Sequence, residues 1–96
     1  MNKINYEKID ELFRLPIQIL NEKGYITLFC CSGHEGDEDS YIYFHPEVDL
    51  PNYPINYQYQ YPNIIRRSLR ASELISNAKE VLKWANNLPI NPIEIK

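Results

Sequence analysis

The residue types best suited to chemistry in this 96-residue chain lie together at positions 30–34, which read Cys-Cys-Ser-Gly-His. Cys31 and His34 are three residues apart, so a turn at Gly33 would bring the thiol and the imidazole within hydrogen-bond reach. A histidine beside a cysteine supports a thiolate nucleophile. The pattern predicts one alternative function, a small hydrolase or transferase with Cys31 and His34 as its catalytic residues.

The same side chains are also metal ligands. Cys31, His34 and His45 would supply sulfur and nitrogen donors of the kind that zinc accepts. Zinc-site sequences usually contain two short ligand pairs, whereas this chain has one short pair and a distant histidine. We therefore expect no cofactor and keep a metal at these three residues as an alternative. The purely structural interpretation is a buried Cys30 followed by a positive φ at Gly33.

Charged residues cluster at two places. Positions 35–39 read Glu-Gly-Asp-Glu-Asp but lack the alternating ligands and closing glutamate of a calcium loop, so they predict a solvated tip. Positive charge gathers at Arg66, Arg67 and Arg70. Two interpretations are open: Arg67 neutralises buried polar groups and Arg66 meets an anionic ligand as a planar fork, or all three are solvated arginines at a junction between strand and helix.

Composition indicates the class of protein. The chain is 44% hydrophobic and 24% charged, with a net charge of −3, and we expect residues 1–96 to form one domain. The acidic balance argues against nonspecific binding of nucleic acid. We expect no secretory leader and no membrane partner, because no apolar stretch is long enough to span a bilayer. The two adjacent cysteines do not form a disulfide framework, so we expect a cytoplasmic protein.

Helical periodicity occurs near both ends of the chain. Apolar residues at positions 9, 12, 13, 16, 17 and 20 share one helical face. Because proline lacks an N–H, Pro16 predicts a break between a helix over 6–14 and a second helix over 16–23, which Gly24 ends. Ser72 is expected to cap a final helix whose apolar face carries Leu74, Ile75, Ala78, Val81, Leu82 and Ala85.

Four segments between the helices have the residue types of strands: 25–32, 40–44, 55–61 and 64–69. Short connections predict a mainly antiparallel sheet of three to four strands, with neighbouring strands in chain order. The N-terminal and C-terminal helices would pack on one face. The expected fold class is therefore α+β, a two-layer sandwich.

Strand alternation divides the side chains between two sheet faces. The face toward the helices would hold Ile26, Leu28, Cys30, Ile42, Phe44, Ile55, Tyr57, Tyr59, Ile65, Arg67 and Leu69. The opposite face would hold Tyr25, Thr27, Phe29, Cys31, Tyr41, Tyr43, Asn56, Gln58, Gln60, Ile64 and Arg66. Aromatic rings and amides are typical of recognition surfaces. Three interpretations remain open for this second face: cover by a helix or the proline-rich loop, contact with a second copy, or binding of a ligand or partner.

Five short segments stand out: Gly-Tyr-Ile-Thr at 24–27, Cys-Ser-Gly-His at 31–34, Tyr-Ile-Tyr-Phe at 41–44, Trp-Ala at 84–85 and Leu-Pro at 88–89. Together they resemble a family of small proteins found in Firmicutes and their phages. That family has no function to carry over, although a phage setting implies host interaction or anti-defence. The Cys-Ser-Gly strand end is also similar to the tRNA wybutosine-synthesis methyltransferases, in which arginine typically follows where this chain has His34. This chain is far shorter than that enzyme, so the similarity does not imply methyl transfer.

Together these observations predict a small, non-enzymatic, cytoplasmic binding protein, located in the host cytoplasm if a phage encodes it. It would sequester a nucleotide-like small-molecule ligand or bind a protein partner through the second sheet face, and a homodimer is a further expectation. The predicted binding residues are Tyr25, Phe29, Cys31, His34, Tyr41, Tyr43 and Arg66.

Overall fold

The chain forms an antiparallel sheet with one helix from each end packed on the same face, which confirms the predicted α+β sandwich. The computed structural model describes residues 11–33 and 39–91. Within these ranges the elements are α1 (Glu11–Glu22), β1 (Thr27–Cys31), β2 (Asp39–Phe44), β3 (Gln58–Gln60), β4 (Ile64–Ser68), a 3-10 turn (Ala71–Glu73) and α2 (Leu74–Asn87).

The strands do not follow one another in chain order across the sheet. Their order is β1-β2-β4-β3, and all three pairings are antiparallel. The expectation of chain order is therefore wrong. Burial explains why β4, and not β3, lies beside β2: β4 carries the fully buried Ile65, whereas all three residues of β3 are exposed. The central position goes to the strand with apolar area to bury, and the polar strand takes the edge.

The third strand is also shorter than its alternating sequence predicts. Positions 55 and 56 form a turn in which Asn56 has a φ of 67°, so β3 begins only at Gln58. Ile55 and Tyr59, both predicted to lie in the core, are exposed, while Tyr57 is buried as predicted. The predicted burial is therefore wrong at two of the three positions, although Tyr59 lies on the predicted side of the sheet.

Helix α1 continues through Pro16 without the predicted break. A proline inside a helix costs about 3 kcal/mol because it removes one N–H donor and crowds the preceding turn. Pro16 is itself buried and lies on the face that buries Phe13, Ile17 and Leu20. Burial of these large side chains offsets the cost, at about 1.5–3 kcal/mol for each one.

Helix α1 ends at Glu22, one residue earlier than predicted, and Gly24 terminates it as predicted. Gly24 has a φ of 92°, a conformation that glycine adopts without steric cost. Its N–H donates to the Asn21 carbonyl at 3.0 Å, and the Tyr25 N–H donates to the Leu20 carbonyl at 2.9 Å. This pair of bonds is the Schellman arrangement, which satisfies carbonyls at the end of the helix.

Helix α2 starts differently from the prediction. Ser72 lies inside the 3-10 turn and does not cap α2; instead Glu73 Oε1 accepts a hydrogen bond of 3.0 Å from the Arg70 N–H. The buried side of α2 includes Trp84 and Asn77, whereas Ile75 is exposed. In the described ranges, neither helix is long and apolar enough to cross a membrane.

Side chains from both helices and both central strands form one apolar core. Trp84 also ties the proline-rich loop to this core, because its Nε1–H donates to Asn52 Oδ1 at 2.7 Å. The core members from α1, β2, β4 and α2 are Phe13, Ile17, Leu20, Ile42, Phe44, Ile65, Val81, Trp84 and Ala85.

Candidate functional site

The sheet face turned away from the helices, here called the open face, carries two parallel rows of side chains. Strand register sets the rows, because each residue lies beside its partner on the neighbouring strand. One row contains Cys31, Tyr41, Arg66 and Gln58, and the next contains Phe29, Tyr43, Ile64 and Gln60. The structure thus brings together five of the seven predicted binding residues: Phe29, Cys31, Tyr41, Tyr43 and Arg66.

Aromatic rings occupy the β1 and β2 side of the open face. Phe29 is 67% exposed, and its ring meets that of Tyr43 edge to face, with centroids 6.0 Å apart and planes at 79°. Tyr41 and Tyr43 are half-buried. Phe29 and Tyr43 are in contact and so are not scattered single residues, and a contiguous apolar patch is typical of a contact surface.

Arg66 lies at the centre of the open face. Its Cζ is 5.9 Å from the centroid of the Tyr41 ring, within the range of a cation–π contact. Its Nε is 3.7 Å from Asp39 Oδ2, which is too long for a hydrogen bond. That Nε is removed from solvent and has no hydrogen-bond partner among residues 11–33 and 39–91. The guanidinium is therefore positioned by a ring and a carboxylate, yet its donor capacity is not used up.

A shallow cleft of about 480 Å³ adjoins Arg66 on the β3 side of the open face. Its lining is polar, and Ser68 Oγ donates to Asp39 Oδ1 at 3.2 Å along one wall. Amides supply both donors and acceptors, so this end of the face is suited to hydrogen bonding. The residues that line the cleft are Asp39, Asn56, Gln58, Gln60, Arg66, Arg67 and Ser68.

Tyr25 is not on the open face, and its predicted place there is wrong. The side chain is only 2% exposed, and its hydroxyl donates to the Pro89 carbonyl at 2.7 Å. The strand begins two residues later than predicted, so alternation does not apply to Tyr25, which instead follows the end of α1. Burial raises the pKa of this phenol above its ordinary value.

A β-bulge in β1 makes the predicted placement of two further residues wrong. Thr27 pairs with Phe44 and Phe29 with Tyr43, so Leu28 is the additional residue. Leu28 is exposed instead of buried. Thr27 turns toward α1, where its Oγ1 accepts a 2.9 Å hydrogen bond from Asn21 Nδ2. Beyond the bulge the alternation matches the prediction again.

The alternative sites at the Cys-Cys-Ser-Gly-His segment fall partly outside the described residues, because His34 does. Gly33 has the predicted positive φ, at 98°. Cys31 pairs with Tyr41, whereas His45 follows the opposite end of β2 and lies about 13 Å further along the strand. The structure therefore does not bring Cys31 and His45 together as metal ligands. Over 11–33 and 39–91 it contains no group of three or more side chains able to hold a metal ion.

A partly buried ion pair, which the sequence predicts only in outline, lies on the helix side of the sheet. Arg67 turns toward α2, where its Nη2 donates to Glu73 Oε2 at 2.9 Å and its Nη1 donates to Asn77 Oδ1 at 3.1 Å. In the sequence, the signal for this arrangement is strand alternation, which places Arg67 among apolar residues. Of the two interpretations, the solvated one is wrong for Arg67, whose guanidinium binds the buried Asn77 and the partly exposed Glu73.

The hydrogen bonds continue from Asn77 into the core as a directional chain. Asn77 Nδ2 donates to the Tyr57 hydroxyl at 2.9 Å, and the Tyr57 and Ser40 hydroxyls lie 2.6 Å apart. Ser40 Oγ donates to the Cys31 carbonyl at 3.2 Å, so Tyr57 is the donor to Ser40. Ser40 and Asn77 are almost fully buried. In the sequence, the one signal for this chain of hydrogen bonds is Asn77, an asparagine on the apolar side of α2.

The Tyr57 phenol gives the protein a dependence of stability on alkaline pH. Burial raises the pKa of Tyr57, against smaller lowering effects of the bonds to Ser40 and Asn77 and of the Arg67 charge. The folded protein thus holds this proton more tightly than the unfolded chain. The contribution to stability is complete below the unfolded value of about 10 and is lost as the pH rises through the folded pKa.

We therefore expect the free energy of unfolding to fall between pH 9 and 11 less steeply in Tyr57→Phe than in the wild type. Urea titrations at several pH values measure the slopes. Tyr25, whose pKa is also raised, leaves a residual fall of the same sign in the variant. Equal slopes for the two proteins would contradict the prediction.

Comparisons of the chain with family models, with curated proteins and with solved structures found no match. The fold alone does not assign an activity, since the same layer arrangement serves unrelated functions. A functional proposal therefore depends on the geometry of the open face.

Proposed function

We propose that the protein is a small, non-enzymatic binding protein of the cytoplasm whose open face holds a nucleotide-like ligand. The observation that carries the proposal is the placement of one exposed and two half-buried aromatic rings and one arginine on adjacent strands, on the sheet face turned away from α1 and α2. Nucleobases stack on aromatic side chains of such sheets, and every base has a face that can stack.

The spacing of the two rows fits a nucleotide. Tyr43 and Arg66 are diagonal neighbours on β2 and β4, and diagonal neighbours are about 7–8 Å apart. That distance is comparable with the separation of base and phosphate across a ribose. A base stacked at Tyr43 and Phe29 would place its phosphate beside the Arg66 guanidinium, which is a good hydrogen-bond donor to phosphate oxygens.

Electrostatics favour a ligand of low charge. The Asp39 carboxylate lies 3.7 Å from Arg66 Nε, and the chain carries a net charge of −3. Each additional phosphate would be repelled by these carboxylates, while Arg66 is the one cation in the two described rows of this face. We therefore expect nucleoside monophosphates and cyclic nucleotides to bind more tightly than triphosphates. If a phage encodes the protein, capture of a signalling nucleotide of this kind would serve host interaction or anti-defence.

Calorimetric titration of the full chain with AMP, GMP, their cyclic forms and ATP tests the proposal. Tyr43→Ala should weaken binding about tenfold, since base–aromatic stacking contributes about 1–3 kcal/mol. Arg66→Gln should weaken monophosphate binding by a similar factor. Lys79→Gln, which removes one positive charge from an exposed site on α2, is the matched control and should leave affinity unchanged.

Three outcomes would overturn this function. One is the absence of saturable binding by every nucleotide tested. Another is an equal loss of affinity in Arg66→Gln and Lys79→Gln, which would indicate general electrostatics. The third is a dimer in native mass spectrometry that Tyr43→Ala dissociates, because the open face would then be a contact between two copies.

A further inference from the structure

A second cleft lies on the opposite side of the sheet from the open face, between the loop after β2 and the β3–β4 turn. It encloses about 370 Å³, within the range of about 300–1,000 Å³ for small-molecule pockets. Tyr53, Tyr59 and Tyr61 line it together with Asp49. Tyr59 pairs with the buried Ile65, so its ring is on the helix side of the sheet. We call these four residues the tyrosine cleft.

Hydrogen bonds hold the walls of the tyrosine cleft in place. Asn63, buried in the turn between β3 and β4, donates from Nδ2 to the His45 carbonyl at 2.8 Å and to the Val48 carbonyl at 2.9 Å. These bonds fasten the β3–β4 turn to the facing loop. Asn52 in the same loop accepts from Trp84 of α2. A cleft fixed in this way loses little conformational entropy when a ligand enters.

The rings of the cleft are available to a ligand. Tyr53 and Tyr59 stack with centroids 6.1 Å apart and planes at 21°, and both are substantially exposed. Tyr61 is 89% exposed and contributes almost nothing to the core. The faces of aromatic rings carry negative electrostatic potential, which attracts cations.

The charge of the cleft lining also favours a cation. Asp49 is an exposed carboxylate, and no lysine or arginine is among the described residues that line the cleft. A positively charged group would meet ring faces and a carboxylate together. An anionic ligand would face repulsion from both.

We propose that the tyrosine cleft binds a methylated ammonium group. Such a group spreads its positive charge over an apolar surface, so it suits aromatic rings better than a strongly hydrated ammonium does. Asp49 supplies the complementary charge. The group could belong to a small organic cation or to a methylated lysine side chain of another protein, since the chemistry that recognises it is the same.

Titration of the full chain with choline chloride, followed through the tyrosine ring signals in NMR spectra, tests the proposal. Choline should shift the signals of Tyr53, Tyr59 and Tyr61 with saturation. Its neutral isostere 3,3-dimethylbutan-1-ol should bind about three- to thirtyfold more weakly, the range that corresponds to a cation–π contribution. Tyr61→Ala should weaken choline binding by a factor in the same range.

A matched pair of charge variants isolates the carboxylate. Asp49→Asn should reduce the affinity for choline severalfold. Glu47→Gln removes the same charge from an exposed residue two positions away that does not line the cleft, and should not change it. Nucleotide binding at the open face should be unaffected by either change, so the two sites can fail separately.

A peptide with trimethyllysine and its unmodified counterpart identify the source of the methylated ammonium group. A peptide with trimethyllysine that binds more tightly than choline, and more tightly than its unmodified counterpart, would support the site and assign it to a protein partner. Tighter binding of choline would support the site and assign it to a small molecule. Equal binding of choline and its neutral isostere would overturn the proposal. Binding of a neutral proline-rich peptide that Asp49→Asn leaves unchanged would also overturn the proposal. So would the absence of saturable choline binding by the folded protein.

Discussion

Replacing Asn77 by leucine is expected to lower the free energy of unfolding by about 3 kcal/mol, because buried polar groups would lose their partners. Leucine has a similar volume but no polar atoms. The Arg67 Nη1 would lose its 3.1 Å bond to the amide oxygen, and the Tyr57 hydroxyl would lose the 2.9 Å bond from the amide nitrogen. A loss of this size is a large part of the stability of a small domain, which is about 5–15 kcal/mol.

Urea unfolding followed by circular dichroism measures this change. Asn86→Leu is the matched control, since Asn86 is exposed on the same helix and exposed substitutions usually alter stability by less than about 0.5 kcal/mol. If Asn77→Leu is as stable as the control, the hydrogen-bonded chain from Arg67 to Ser40 does not stabilise the fold.

Replacing Lys23 by methionine is expected to cost about 2 kcal/mol, since charged hydrogen bonds contribute more than neutral ones. Lys23 Nζ donates to the carbonyls of Ala85, Asn86 and Leu88 at 2.8, 2.8 and 2.6 Å. These carbonyls lie at the end of α2, where a positive charge also meets the negative end of the helix dipole. Methionine retains most of the side-chain length but provides neither the donors nor the charge.

The control for this change is Lys83→Met, because Lys83 is exposed on α2. Thermal unfolding should show a clear decrease in Tm for Lys23→Met and almost none for Lys83→Met. Amide hydrogen exchange should also accelerate at Leu88, whose N–H donates to the Trp84 and Ala85 carbonyls. Unchanged exchange there together with an unchanged Tm would refute the capping role of Lys23.

The layer arrangement was predictable because it depends on local periodicity, which a single sequence displays. The end of α1 at Gly24 followed from the same kind of local signal. Strand order was not predictable in this way, since it depends on which strand has most apolar area to bury. Pro16 shows the same limit, because a local rule predicted a break that the burial of the whole helix face overcame.

The open face was predictable where alternation is regular and not where the strand ends. Tyr41, Tyr43 and Arg66 lie on the regular central strands, and their placement agrees with the prediction. Tyr25 precedes the strand, so its burial depends on Pro89, far away in the sequence. The tyrosine cleft had no local signal either, because Tyr59 follows the core alternation and is exposed only through its position at the sheet edge.

The order β1-β2-β4-β3 also has a consequence for the folding kinetics. The sheet consists of two hairpins, β1–β2 and β3–β4, which pair with each other along β2 and β4. Because the strands of each hairpin are close in sequence, we expect the hairpins to form before they dock. Docking must close a longer loop, so it is the slower event. Tyr41 and Arg66 meet only across this seam. We therefore expect the open face to be completed last, and a chain halted before docking lacks the contact between Arg66 and the Tyr41 ring.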